Sequence, residues 1–210
     1  MAPVLAIFPL DVVLLPGQAQ PMHIFEPRYR QLIADVRLST DHPSFGIVAS
    51  RSVEVGTLAE IIEYAPYEDG RADLLTLGSR RFRVLAYDDQ SRPYLQATVQ
   101  WLPEEDGEIT EDLLGAVRVL GARYRRHLGV LAGRELSGEV FAADPLRLSY
   151  QIAAQLWLPN SERQDLLEAS TAARRLRRAL GLLRREILLM AATHSVPMTP
   201  GTLRQERGAN

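Results

Sequence analysis

The residues with the most chemical potential in this chain are four histidines, His23, His42, His127 and His194. They are scattered, without the spacing of a metal site such as two histidines four apart beside a carboxylate. Exposed or hydrogen-bonded histidines are therefore the expected state, and no metal is expected. A serine nucleophile has no support either, because there is no Gly-x-Ser-x-Gly elbow and the serines fall mostly in turns and at helix caps. Glycine-rich phosphate loops are absent. The chain has no cysteine, which excludes disulfides, thiolate metal sites and a cysteine nucleophile. It also has no lysine, since all 24 basic residues are arginine. That removes Schiff-base chemistry, the P-loop lysine and a Ser–Lys protease dyad. Arginine cannot take over as a base because its guanidinium stays protonated. The expectation is a protein that is not an enzyme and carries no cofactor.

Arginine also defines the most conspicuous charge run, Arg174-Arg175-Leu176-Arg177-Arg178 followed by Arg184-Arg185. One reading is a basic helix that grips nucleic acid or an acidic partner. The other is the solvated face of an amphipathic helix whose arginine stems cover apolar surface. The net charge of −2 and pI near 6.1 favour the second, because nonspecific nucleic-acid binders are usually far more basic.

The 210 residues are 46% hydrophobic, enough for a sizeable core. The apolar N-terminus lacks a basic n-region and is punctuated by Pro3, Pro9 and Pro16, so it reads as strand and turn and not as a signal peptide. No segment reaches the roughly 18–20 apolar residues of a bilayer span. A soluble, cytoplasmic protein with no membrane partner is expected.

Positioning elements follow from periodicity. Strands are expected at Val4–Phe8, Val12–Leu15, Phe45–Ala49, Leu58–Tyr64, Asp73–Leu77, Phe82–Tyr87 and Tyr94–Trp101, separated by turn signals such as Glu68-Asp69-Gly70. Glu26-Pro27 opens one helix, with Tyr29, Leu32, Ile33 and Val36 on one face. The acidic stretch Pro103 to Glu108 marks a boundary. Helices are then expected over Thr110 to Leu131, from Asp144-Pro145 to Leu158, over Glu162–Glu168 with a Ser161/Gln164 capping box, and from Thr171 onward. The fold class is α+β. A β-rich lobe spans 1–103, an acidic linker 104–109, a helical lobe 110–193 and a flexible tail 194–210.

Several stretches together resemble the substrate-binding domain of Lon proteases. The stretch Phe8-Pro9-Leu10 through Pro16-Gly17 is followed by His23-Ile24-Phe25-Glu26-Pro27-Arg28-Tyr29. Then come Phe45-Gly46-Ile47-Val48, Val55-Gly56-Thr57 and Leu77-Gly78-Ser79-Arg80-Arg81-Phe82. In the helical half, Ile152-Ala153-Ala154 through Leu158-Pro159 is similar to the family's Ala-rich helix and the break after it. The ordered matches run from about residue 5 to 170. The resemblance implies a β pseudo-barrel like that of PUA-like domains followed by a helical bundle. It also implies a role in engaging unfolded or degron-bearing protein segments, alone or with a protease or chaperone. The Lon ATPase and Ser–Lys protease are not encoded in this lysine-free chain, and cereblon's cysteine-ligated zinc module is likewise absent. The chain reads as a free-standing copy of the domain.

The residues proposed to meet a partner are His23, Phe25, Arg28 and Tyr29, rimming a groove between the lobes, together with Arg81 and Phe82. Their structural alternative is that Arg28 and Arg81 are halves of buried ion pairs while Phe25, Tyr29 and Phe82 are core. A non-catalytic peptide-binding module is the leading reading. Two others stay open: RNA binding through a PUA-like fold and the Arg-rich last helix, and a small-molecule sensor or unrecognised enzyme.

Overall fold

A computed structural model describes residues 2–39, 41–131 and 140–193; the segment expected to be a flexible tail, with His194, lies outside them. The chain divides into two compact units, Met1–Pro103 and Glu104–Asn210. The first holds strands β1 (Val4–Pro9), β2 (Ala19–Ile24), β3 (Ser44–Val48), β4 (Val55–Pro66), β5 (Ala72–Asp88) and β6 (Gln96–Trp101), with helix α1 (Pro27–Ser39) after β2. The second holds α2 (Glu111–Leu131), α3 (Pro145–Gln155), α4 (Asn160–Glu168) and α5 (Ala172–Thr193). Among the described residues no helix is long and apolar enough to cross a membrane.

The strand order is β2-β5-β4-β3-β1-β6, and β6 pairs again with β5, so five of the strands close into a ring. Strand β5 makes this possible by its length of 17 residues. Its first part pairs with both β2 and β4, and its last part pairs with β4 and β6. Register shifts in β4 between Thr57 and Ala59 and between Ile61 and Glu63 bend that strand, as bulges do. All pairings are antiparallel except β1 with β3.

Four of the ring strands contribute side chains to one small core. Phe82 of β5 packs with Ile7 of β1, Val48 of β3, and Ala97 and Val99 of β6. Gly46 of β3 and Gly56 of β4 leave the space: a Cβ on Gly46 would lie 2.7 Å from the Phe82 ring, and one on Gly56 2.6 Å from it. The opposite face of the same strands is covered by α1, where Tyr29, Leu32 and Ile33 meet Phe8, Met22, Ile24, Phe45, Ile47 and Leu74. Tyr29 stacks on Phe8 with ring centroids 4.0 Å apart. Burying each large side chain of this kind contributes about 1.5–3 kcal/mol. Asp35 fastens α1 further, accepting from the Tyr94 hydroxyl at 2.7 Å and from Gln31 Nε2 at 2.7 Å. The Tyr94 bond, then that from Gln31, holds the Asp35 carboxyl below its ordinary pKa, whereas burial and then this bond push the Tyr94 phenol up to about 12.

Three expected elements differ. Val12–Leu15 is not a strand: it is an irregular segment, buried from Val13 to Leu15, and its Leu14 carbonyl accepts from Thr57 Oγ1 of β4. The strand in this region is β2, whose Pro21 sits where no ladder N–H is required on an edge. The two strands expected at Asp73–Leu77 and Phe82–Tyr87 are one continuous β5. The Ser161/Gln164 capping box does not form. Helix α4 starts two residues earlier, at Asn160, without a side-chain cap, and Gln164 Nε2 donates to Glu168.

In the second unit Asp144 caps α3, accepting from the Arg147 N–H at 2.7 Å, with Pro145 at the first helical position. The acidic segment before α2 lies against the start of α5, where the Ala172 and Ala173 N–H groups donate to the Glu105 and Asp106 carbonyls. The centre of the unit is Arg175, which is 0% exposed. Its guanidinium donates to the Leu166 carbonyl at 2.9 Å, the Ser149 hydroxyl at 2.9 Å and the Ala169 carbonyl at 3.0 Å. It also stacks 3.8 Å from the Tyr150 ring centroid. One side chain thus ties α3, α4 and the α4–α5 turn to α5.

Two stability tests follow from these contacts. Gly46→Ala and Gly56→Ala should each cost about 1–3 kcal/mol in chemical denaturation, because the added methyl overpacks the ring. Gly181→Ala, on α5 with open space around it, should instead be neutral or stabilise by up to about 1 kcal/mol. Arg175→Ala should cost about 2–3 kcal/mol by orphaning buried acceptors, whereas exposed Arg174→Ala should stay within about 0.5 kcal/mol.

Candidate functional site

The β4–β5 hairpin and the strand beside it gather the exposed side chains. Tyr67 to Arg71 form the turn, closed by the Tyr67 N–H donating to the Arg71 carbonyl at 2.9 Å, with Gly70 at φ +81°. The β2–β5 register sets His23 directly opposite Asp73. Because strand side chains alternate, Met22 and Ile24 point to the α1-covered face while His23 points away from it. Phe25 follows immediately and is 59% exposed.

Asp73 organises this uncovered face. One carboxylate oxygen lies 2.6 Å from His23 Nδ1, and the other accepts from the Tyr67 hydroxyl at 2.6 Å. The Tyr67 bond, then that from His23, holds the Asp73 carboxyl below its ordinary pKa, and the same carboxylate pushes the Tyr67 phenol up. His23 stacks near Phe25 with centroids 6.0 Å apart and meets Tyr67 edge-on at 6.0 Å. The Arg71 guanidinium lies 5.5 Å from the Tyr67 centroid and pairs with Asp69 at 2.7 Å. Two rings are thus held by one carboxylate, and a third, Phe25, lies beside His23 and is turned to solvent. Such an arrangement suits an interface anchor.

The expected site residues separate into groups. His23 and Phe25 come together, as described. Arg28 is exposed and pairs with Glu26 at 2.8 Å, so it is not half of a buried ion pair. It also lies 4.6 Å from the centroid of the Tyr29 ring, which is core. Phe25 is not core. Arg81 and Phe82, 2% and 0% exposed, belong to the β unit's interior, where Arg81 Nη2 donates to the Pro103 carbonyl at 3.0 Å. Tyr67, Arg71 and Asp73 were absent from the sequence-derived set. Their turn was legible as Glu68-Asp69-Gly70, but the pairing of Asp73 with His23 required recognising β2.

On the other face of the hairpin, α1 and the strands enclose a groove of about 410 Å³. It is lined by Pro27, Arg30, Gln31, Ala34 and Arg37 from α1, and by Ile24, Tyr64, Gly70 and Ala72 from the strands and turn. The α1 residues recur every three or four positions, which is one helical face.

The arginines of α5 are largely engaged within the second unit. Arg175 is buried, Arg177 donates to the Glu108 carbonyl at 2.8 Å, and Arg178 pairs with Asp165. Arg185 holds Glu162 through two bonds at 2.5 and 2.6 Å and also reaches Glu186. This matches the solvated-face reading more closely than a phosphate-binding surface. Among the described residues no group of three or more histidines and carboxylates is placed to hold a metal ion.

Residues 4–185 match the family described as the ATP-dependent protease La (LON) substrate-binding domain. The chain belongs to that family. It is 26% identical over 201 residues to Lon protease 1 of Hydrogenovibrio crunogenus, covering 89% of this chain and 24% of the relative. The chain thus spans about a quarter of the length of that relative. It is 30% identical over 124 residues to chicken (Gallus gallus) protein cereblon, covering 56% of this chain and 27% of cereblon. Among solved structures, a Lon N-terminal domain protein from Xanthomonas campestris aligns with TM-score 0.66 at 27% identity, over 85% of this chain and 98% of that one. The N-terminal domain of Mycobacterium avium complex Lon protease shares the fold, with TM-score 0.62 at 21% identity, over 87% of this chain and 98% of that one. In this LON substrate-binding domain the motif glycines Gly46 and Gly56 serve the Phe82 core, and the His23-Ile24-Phe25 motif supplies both a buried and an exposed face.

The Asp73 cluster makes a spectroscopic prediction. Tyr67 should titrate above the ordinary phenol value of about 10, and Asp73→Asn should bring it back toward about 10. Tyr67 ring resonances followed by NMR through alkaline pH would check this. As the Asp73 carboxyl is held low, its contacts are complete above the ordinary carboxylate pKa. They are lost as pH falls through the folded-state value.

Proposed function

We propose that this protein recognises unfolded or degron-bearing protein segments without catalysing a reaction, acting as a cytoplasmic adaptor or quality-control factor, with the uncovered face of the β2–β5–β4 hairpin region as its contact surface. The observation that carries this reading is the exposed Phe25 ring, stacked near His23, which one carboxylate fixes together with Tyr67. His23 and Tyr67, already held by that carboxylate, lose little conformational freedom on binding, so more of the burial appears as affinity. The adjoining edge of β2 pairs with no other strand among the described residues. An extended segment can add along such an edge while its side chains meet the rings. The family membership supports the same reading, since the matched domain is described as substrate-binding. The internal pairing of the α5 arginines leaves RNA as the weaker alternative.

Fluorescence anisotropy with a labelled, permanently unfolded polypeptide tests the proposal. Saturable binding that tolerates moderate salt is expected. Phe25→Ala should weaken it about tenfold, the effect of losing roughly 1.4 kcal/mol at an interface anchor. Thermal stability should stay unchanged, because the ring is exposed. Equal affinity in Phe25→Ala would remove this surface from recognition, and a preference for RNA that collapses with salt would favour nucleic acid instead.

A further inference from the structure

The groove between α1 and the β4–β5 hairpin has a charge pattern that the aromatic face lacks. Its walls carry two guanidinium groups, Arg30 and Arg37, and no carboxylate. Its floor is apolar: Ile24, Ile33 and Ala72 are buried, and Ala34 presents only a methyl group between the two arginines. Arg37 is spread over the Tyr64 ring, 3.7 Å from its centroid, which leaves its guanidinium edge for hydrogen bonding. Arg30 is set against the turn at Gly70, whose missing side chain gives it room. Asp69 is near enough to feel the charge of Arg30, but its carboxylate is taken by the Arg71 N–H at 3.0 Å and Nε at 2.7 Å. Among the described residues neither Arg30 nor Arg37 forms an ion pair, whereas Arg28, Arg51, Arg71, Arg92, Arg178 and Arg185 each do.

The geometry points to an acidic peptide segment as the occupant of this groove: an extended stretch with an apolar side chain on the Ile24–Ala34–Ala72 floor, flanked by carboxylates that reach Arg30 and Arg37. Charge complementarity selects that chemistry, and spacing refines it. The two arginines lie seven positions apart along α1, a rise of roughly 10 Å. An extended peptide advances about 3.3 Å per residue, so acidic residues two to four positions apart span the pair. Guanidinium pairs with carboxylates in a planar, two-bond geometry that an amide cannot reproduce. The inference rests on the peptide-recognition reading and adds a sequence preference to it, on the hairpin face opposite Phe25.

The test uses the full chain and three labelled peptides of one length: one with two acidic residues flanking a leucine, its glutamine counterpart, and its phosphoserine counterpart. The unfolded polypeptide is titrated in parallel. The acidic peptide should bind at least tenfold more tightly than the amide version and weaken as salt is added. Arg30→Gln and Arg37→Gln should each loosen it about fivefold, the scale of a partly exposed ion pair. Ala34→Trp, which fills the floor from an exposed helical position, should abolish it, whereas Arg174→Gln, an exposed arginine of α5, should leave it unchanged. Circular dichroism confirms that each variant is folded. Equal affinity for the acidic and amide peptides, or binding indifferent to the arginine variants and to Ala34→Trp, overturns the acidic groove. If the unfolded polypeptide still binds through Phe25 in that case, the broader recognition reading stands alone. Exclusive binding of the phosphoserine peptide overturns the carboxylate assignment. Binding of the acidic peptide without the unfolded polypeptide keeps the groove and rejects the broader reading, and binding of nothing rejects both.

Discussion

A ring of five strands closes only if its centre is filled without forcing the strands apart, and here Phe82 fills it. An aromatic ring fits so small a barrel because β3 and β4 approach it through Gly46 and Gly56, where any Cβ would overlap the ring. The cost of glycine within strands, lost packing and greater entropy on folding, is offset by burial of the ring among residues from the other strands. Closure in turn dictates the path of β5. A strand that must complete the ring at one end has its other end free to project as a hairpin with β4, and β2 pairs along it. The exposed aromatic cluster and the α1 groove both sit on that projection, so the ring core positions them without touching them.

Much of this was legible in the sequence, and the misses share a cause. Strongly periodic stretches, such as α2, α5 and the Leu95 to Trp101 alternation, declare themselves because one face is wet and the other dry. Val12–Leu15 has the composition of a strand and is buried from Val13 to Leu15, and only the lack of a strand ladder tells it from one. Strand β2 reads as Ala-Gln-Pro-Met-His-Ile, where proline and polar residues hide the alternation. Edge strands tolerate these residues because half their backbone groups need no partner. Missing β2 also hid the His23–Asp73 pair, since cross-strand partners are defined only once both strands are known.

Arginine was harder to read than any apolar residue. In one run of helix α5, Arg174 is exposed, Arg175 is fully buried, and Arg177 and Arg178 hold carbonyl and carboxylate partners. Helical periodicity does place residue 175 with Leu176, Ala179 and Leu183 on the inner face. Charge alone argues against it, however, because burying an unpaired guanidinium is expensive. What makes it acceptable is the set of acceptors around it: two carbonyls near the end of α4, the Ser149 hydroxyl and the Tyr150 ring. Those come from segments up to 26 residues away, so no local window contains them. The same residue type that suggested a nucleic-acid surface is, at this position, the tie of the helical unit.

The arginines of α1 present the converse case. They are ordinary members of a solvated helical face by sequence, spaced like Pro27, Ala34 and the rest of that side. Their difference from the α5 arginines is what the fold leaves near them. Around α5 the chain supplies Asp165, Glu162 and Glu186, and charge is neutralised within the unit. Around Arg30 and Arg37 it supplies an aromatic ring, a glycine turn and an apolar floor. Guanidinium groups held beside low-dielectric surface keep more of their Coulombic reach than groups in open water. A carboxylate arriving there with an apolar neighbour gains from both terms at once. The two faces of one hairpin then differ in kind: the Phe25 side presents an exposed aromatic ring, whereas the α1 side presents two guanidinium groups beside an apolar floor.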